Sequence, residues 1–121
     1  MESTEDLAKR VVRSKHWRWM PGMRNGLDGS RYMGDGRWAR VWNDTYLHRT
    51  REGSWPDLDD SATIGGLLEL VLLAYGDTEF RMTYSPSNGW WCVYTGEVPE
   101  RQTHMGLSQA AVLVAALRAA P

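Results

Sequence analysis

The segment from Asp60 to Gly76, DSATIGGLLELVLLAYG, sets the main constraint on the fold. Ile64, Leu67, Leu68, Val71, Leu72 and Tyr75 recur at the spacing of one helical face, and Leu70 and Leu73 fall off that stripe. A helix this apolar must be covered on more than one side, which demands at least one further layer. Its ends are marked by residue type. Asp60 offers an N-cap oxygen, Asp57 and Asp59 add favourable charge ahead of it, and Gly76 permits a left-handed stop. Gly65 and Gly66 inside the helix each cost about 1 kcal/mol relative to alanine, so a neighbouring backbone is expected to pass close there.

The flanking sequence supplies the other layer. Ser3 to about Ser14 reads as a short helix with Ser3 as N-cap and Leu7, Ala8, Val11 and Val12 as its apolar stripe. Trp17 to Met20 alternates as a short strand ended by Pro21-Gly22, and residues 24–30 read as loop. Arg31 to about Thr50 reads as two or three antiparallel strands, with Gly34-Asp35-Gly36 as a hairpin turn because Asp-Gly tolerates positive φ. Thr78 to Tyr84 and Trp90 to Thr95 alternate across a five-residue loop, Ser85 to Gly89. That loop places Tyr84 opposite Trp90, Met82 opposite Cys92 and Phe80 opposite Tyr94, all facing the core. Gly96 to Gly106 reads as loop. Ser108 caps a last helix, Gln109 to Ala120, with Leu107 and Val112 at staple spacing. The expectation is a single α+β domain over residues 1–121. Its order is α-β-β(-β)-α-β-β-α, and one antiparallel sheet of four to five strands carries the helices.

The chemistry-bearing residues are sparse. His16, His48 and His104 are isolated, without the spacing of a metal site. The single cysteine, Cys92, is expected on the core face as a small hydrophobe rather than a reactive thiol. Asp57, Asp59 and Asp60 suit a hard cation through oxygen ligands, but a helix cap explains them more simply. No glycine pattern cradles a nucleotide. No catalytic residue, metal or cofactor is expected. No apolar run reaches a membrane-spanning length. The start, MESTEDLAKR, is polar and acidic where a signal peptide would be basic and then apolar, so a cytoplasmic location is expected.

Binding is better supported than catalysis. The chain holds seven Trp and one Phe. Residues 1–51 carry eleven Lys/Arg against six Asp/Glu, while residues 52–121 carry three against nine. The basic half interleaves rings and arginines: Trp17, Arg18, Trp19, Arg24, Arg31, Tyr32, Arg37, Trp38, Arg40 and Trp42. Such a face suits a protein interface, where Trp and Arg are common anchors. It also suits single-stranded nucleic acid, through stacking and phosphate contacts. A net charge of −1 counts against general nucleic-acid binding. Alternation along residues 37–42 leaves two arrangements open. Either Ala39 and Val41 face the core and Trp38, Arg40 and Trp42 form an outer patch, or the rings face inward and take Arg40 with them. The outward arrangement is the expectation, with the patch covered by a partner or a second copy of the chain.

Three blocks carry a resemblance. Trp17 to Met23 (WRWMPGM), Pro56 to Leu68 (PDLDDSATIGGLL) and Ala110 to Pro121 (AAVLVAALRAAP) resemble a group of short, uncharacterised phage and prophage proteins. That group tends to carry Pro where this chain has Ser61, and often Cys where it has Gly66. The resemblance implies a phage or prophage origin and a location in the host cytoplasm. It carries over no activity and no site residue. Together with the residues, it leads to the expectation of a non-enzymatic protein that binds a host protein, an anti-CRISPR-type inhibitor being the most concrete form. The alternative is a nucleic-acid-binding accessory protein that uses the basic, Trp-rich half.

Overall fold

The computed structural model describes residues 3–40, 46–47, 50, 52–76, 80–95 and 102–121. Three helices and six strands follow one another as α1 (Thr4–Val11), β1 (Arg31–Gly34), β2 (Arg37–Ala39), β3 (Tyr46–Leu47), α2 (Ser61–Tyr75), β4 (Arg81–Ser85), β5 (Trp90–Thr95), β6 (Gln102–Gly106) and α3 (Gln109–Ala119). All three helix starts are capped as their sequences imply. Ser3 Oγ accepts from the Asp6 N–H at 3.1 Å, Asp60 Oδ2 from the Thr63 N–H at 3.0 Å, and Ser108 Oγ from the Ala111 N–H at 3.0 Å. Gly76 ends α2 at φ 57°, with its N–H donating to the Leu72 carbonyl.

The fold is α+β, but the strands form two sheets rather than one. β1-β2-β3 make the first and β4-β5-β6 the second, both antiparallel. Each strand pairs with its chain neighbour, so each set satisfies its hydrogen bonds locally and α2 occupies the chain between them. Trp17 to Met20 is not a strand. It leaves α1 through a turn, with the Trp17 N–H donating to the Ser14 carbonyl at 3.0 Å, and has no ladder partner. Residues 102–106, expected as loop, form β6 against β5. At the first hairpin, Asp35 takes a positive φ of 53° between Gly34 and Gly36, as the Asp-Gly signal implies.

The second hairpin differs from expectation by one residue. Ser85 pairs with Trp90, Tyr84 with Trp91 and Met82 with Val93. The loop is therefore four residues long, closed by the Gly89 N–H on the Ser85 carbonyl at 2.9 Å and by the Trp90 N–H on Asn88 Oδ1 at 3.1 Å. The slip exchanges the faces of β5. Val93, fully buried, and Trp91 face the core beside Met82, whereas Trp90, Cys92 and Tyr94 lie on the outer face beside Met105 of β6.

The hydrophobic centre is α3, not α2. Ala110, Val112, Leu113, Val114, Ala116 and Leu117 are buried, which wraps nearly the whole helix. It packs against α1, α2, β5 and β6. Leu107 is 65% exposed, so no staple closes over Val112. On α2 the buried positions are Thr63, Gly66, Leu67, Leu70 and Val71, while Leu72 and Leu73 are exposed. The expected stripe is thus rotated. A helix apolar on most sides does not name its own buried face, and the walls supplied by its neighbours decide it.

The two glycines of α2 separate cleanly. A Cβ on Gly66 would stand 2.8 Å from Met23 Cε and 3.2 Å from Met20 Cβ, whereas a Cβ on Gly65 would meet nothing within 4 Å. The close neighbours are methionine side chains, not the expected backbone. Gly65→Ala should therefore raise stability by about 0.5–1 kcal/mol through helix propensity. In Gly66→Ala that gain is offset by displacement of the fully buried Met23, an overpacking cost of about 1–3 kcal/mol. Urea unfolding of the two variants should give midpoints on opposite sides of the parent.

Candidate binding surface

Four aromatic residues of the basic half, Trp17, Trp19, Trp38 and Tyr32, form one chain of rings. Trp17 meets Trp19 edge-on at 5.4 Å between centroids, Trp19 meets Trp38 at 4.7 Å, and Trp38 meets Tyr32 at 5.0 Å. The first two are edge-to-face and place positive ring edges on negative ring faces, while the Tyr32 pair is tilted at 58°. Trp38 is the buried member, at 1% exposure, and its Nε1–H donates to Thr50 Oγ1 at 3.3 Å. The outward arrangement of this strand is thus overturned at Trp38. Its face of the first sheet is the one covered by Trp19 and Tyr32, which leaves Arg37 exposed on the other face. Arg40 is not drawn inward by alternation, because β2 ends at Ala39; it is half-buried. Trp42 lies outside the described residues.

What remains of the expected surface is its first segment. Trp17 and Trp19 are half-buried and Arg18 is exposed. Trp17 and Arg18 stand between two hollows. One, about 570 Å³, is walled by Val12, Trp19, Tyr32, Thr50 and Ser54; the other, about 290 Å³, by Lys15, His16, Leu70, Leu73 and Ala74. Leu73 is 55% exposed at this second rim. Leu73 was not among the expected surface residues, whereas Tyr32 was. The available signal for Leu73 was its position off the apolar stripe of α2.

Other arginines of the basic half serve the fold. Arg31 grips Asp60 with two hydrogen bonds of 2.9 and 3.1 Å and also donates to the Gly22 carbonyl at 2.7 Å. This hydrogen-bonded guanidinium holds the Asp60 carboxyl below its ordinary range against the opposing effect of burial, and Asp60 in turn raises Arg31. Arg24 pairs with Asp57 at 3.3 Å. Asp57 also accepts from the Asp59 N–H at 3.1 Å. The Asp57 and Asp60 carboxylates are therefore engaged by two guanidiniums and by backbone and cap hydrogen bonds. Among the described residues no group of three His, Cys, Asp or Glu side chains is placed to hold a metal ion.

A larger hollow, about 800 Å³, lies where the N-terminal ends of the three helices meet, walled by Leu7, Leu58, Ile64, Trp91 and Leu107. Its serines, Ser3 and Ser108, already accept hydrogen bonds from their own helices, and no Lys or Arg lines it. Charge and rings also meet at Trp55, where Lys9 lies 4.9 Å from the ring centroid and Arg24 lines the adjoining hollow. Arg24 is engaged by Asp57, however, whereas Trp17-Arg18-Trp19 joins two half-buried rings to an exposed arginine and is the stronger site. No protein-family model, curated protein or solved structure matches the chain. Among the described residues no helix is long and apolar enough to cross a membrane.

Proposed function

We propose that this chain is a non-enzymatic binding protein of phage or prophage origin that occupies the surface of a host protein in the host cytoplasm, as an anti-CRISPR-type inhibitor would. The observation that supports this reading is the ring chain: Trp17 and Trp19 are presented beside Arg18 and held in place by the buried Trp38. Rings fixed before encounter lose little freedom on binding, and Trp and Arg are the residues from which interface anchors are most often made. The nucleic-acid alternative has less support. Arg24 and Arg31 are engaged by Asp57 and Asp60, and Trp38 is withdrawn from solvent, which shortens the track of cations and rings available to a strand.

The test is capture from a host lysate with the tagged chain at micromolar concentration, beside Trp17→Ala. The expected result is a specific protein that the parent retains and the variant loses, while circular dichroism shows that the variant is still folded. Capture of no protein, or equal capture by the variant, removes the reading.

A further inference from the structure

Resting on that reading of the Trp17–Trp19 face, we infer that its partner presents an acidic segment whose carboxylates alternate with apolar side chains. Two hollows flank a single wall made by Trp17 and Arg18. Their linings differ from an ordinary cleft in one respect: among the described residues, neither contains an Asp or Glu, while Arg18 borders both and Lys15 borders the smaller. Arg18 and Lys15 are exposed, and among the described residues neither pairs with the aspartates that engage Arg24 and Arg31. The remaining walls mix polar groups, His16 in the smaller hollow and Tyr32, Thr50 and Ser54 in the larger, with apolar side chains. Leu70, Leu73 and Ala74 line one hollow, and Val12 and Trp19 line the other.

This arrangement is complementary to a chain that offers negative charge at the wall and an apolar side chain on each side of it. A carboxylate between two apolar side chains meets Arg18 with bidentate geometry, while its neighbours enter the two hollows and displace water from Leu73 and Trp17. A nucleic-acid strand fits less well. Its affinity comes from a succession of phosphates neutralised along a cationic track. Here two cations stand beside apolar side chains rather than along a cationic track, and the exposed Leu73 has no counterpart in a phosphate backbone.

The experiment measures anisotropy of a labelled synthetic peptide of alternating glutamate and leucine. Alternating lysine and leucine, polyglutamate, and an oligothymidine strand serve as competing probes. The glutamate–leucine peptide should bind the parent best, and Arg18→Glu should weaken it by about tenfold or more. Raising salt from about 50 to about 200 mM should weaken it further, because both cations are exposed to screening. Lys15→Glu gives a second charge reversal, and thermal melts of both variants check that each is folded. Tighter binding of oligothymidine or of the lysine–leucine peptide overturns the inference, as does glutamate–leucine binding untouched by both reversals. Its failure is separable from that of the broader reading. A host protein captured through Trp17 but indifferent to Arg18→Glu removes the acidic partner alone, whereas no capture dependent on Trp17 removes the binding face itself.

Discussion

Trp38→Ala is expected to cost about 3–5 kcal/mol, the range for removing a large buried ring. Trp38 is 1% exposed and is the largest fully buried side chain among the described residues. It touches Trp19 at 4.7 Å and Tyr32 at 5.0 Å, so truncation opens a cavity and also removes two ring contacts. Against a total stability of about 5–15 kcal/mol, such a loss leaves a marginal protein. Thermal unfolding should shift down by more than about 10 °C, given a few degrees per kcal/mol for a chain of this size. Binding through Trp17 should fall with it, since Trp19 loses its support. A melting temperature within about 2 °C of the parent would contradict the inward placement of Trp38.

Asp60→Ala should cost about 2–3 kcal/mol, because one carboxylate serves two structures. It caps α2 through the Thr63 N–H and hydroxyl, a role worth about 1 kcal/mol. It also receives Arg31, whose charged hydrogen bonds add about 1–2 kcal/mol after allowance for the exposure of the guanidinium. Asp60→Asn keeps most of the cap and loses the charge, so it should fall between the alanine variant and the parent. The pH dependence has a definite sign. The folded carboxyl titrates below its unfolded value, so at acid pH the unfolded chain binds more protons. The stabilisation is complete above the ordinary carboxylate value of about 4 and is lost as pH falls through the lower folded value. Urea midpoints followed from about pH 6 to about pH 3 should decline less steeply for Asp60→Asn than for the parent. Parallel curves would mean that the Arg31–Asp60 pair contributes nothing.

The helices were legible because their signals are local. Ser3, Asp60 and Ser108 each satisfy an amide within the next turn, and Gly76 stops α2 through its own backbone. The same holds for the Asp35 turn. The sheets were less legible because facing depends on register, and register depends on loop length. With Trp90, Cys92 and Tyr94 on one side of β5 and Trp91 and Val93 on the other, either side looks fit for burial. Whether Ser85 belongs to the strand or to the loop decides between them. At β2 the expectation extended alternation to Trp42, but the strand ends at Ala39, so Trp38 turns inward without taking Arg40 along. Of the expected binding surface, Trp17, Arg18 and Trp19 are brought together, Arg37 lies on the opposite sheet face, and Trp38 belongs to the core. The roles of Arg24 and Arg31 depend on aspartates some thirty residues away, at separations no local pattern reveals.

The position of α3 bears on how the chain reaches its folded form. Each sheet is assembled from neighbouring strands and each helix is capped by its own residues, so these parts have local interactions that favour rapid formation. Yet the surface that α1, α2, β5 and β6 share belongs to residues 109–119, which a ribosome makes after all of them. Collapse onto a finished core therefore waits until that segment has emerged. Until then the inward faces of Val11, Leu67, Val71 and Val93 have no common partner, and the growing chain is at its most adhesive before residues 109–119 are added.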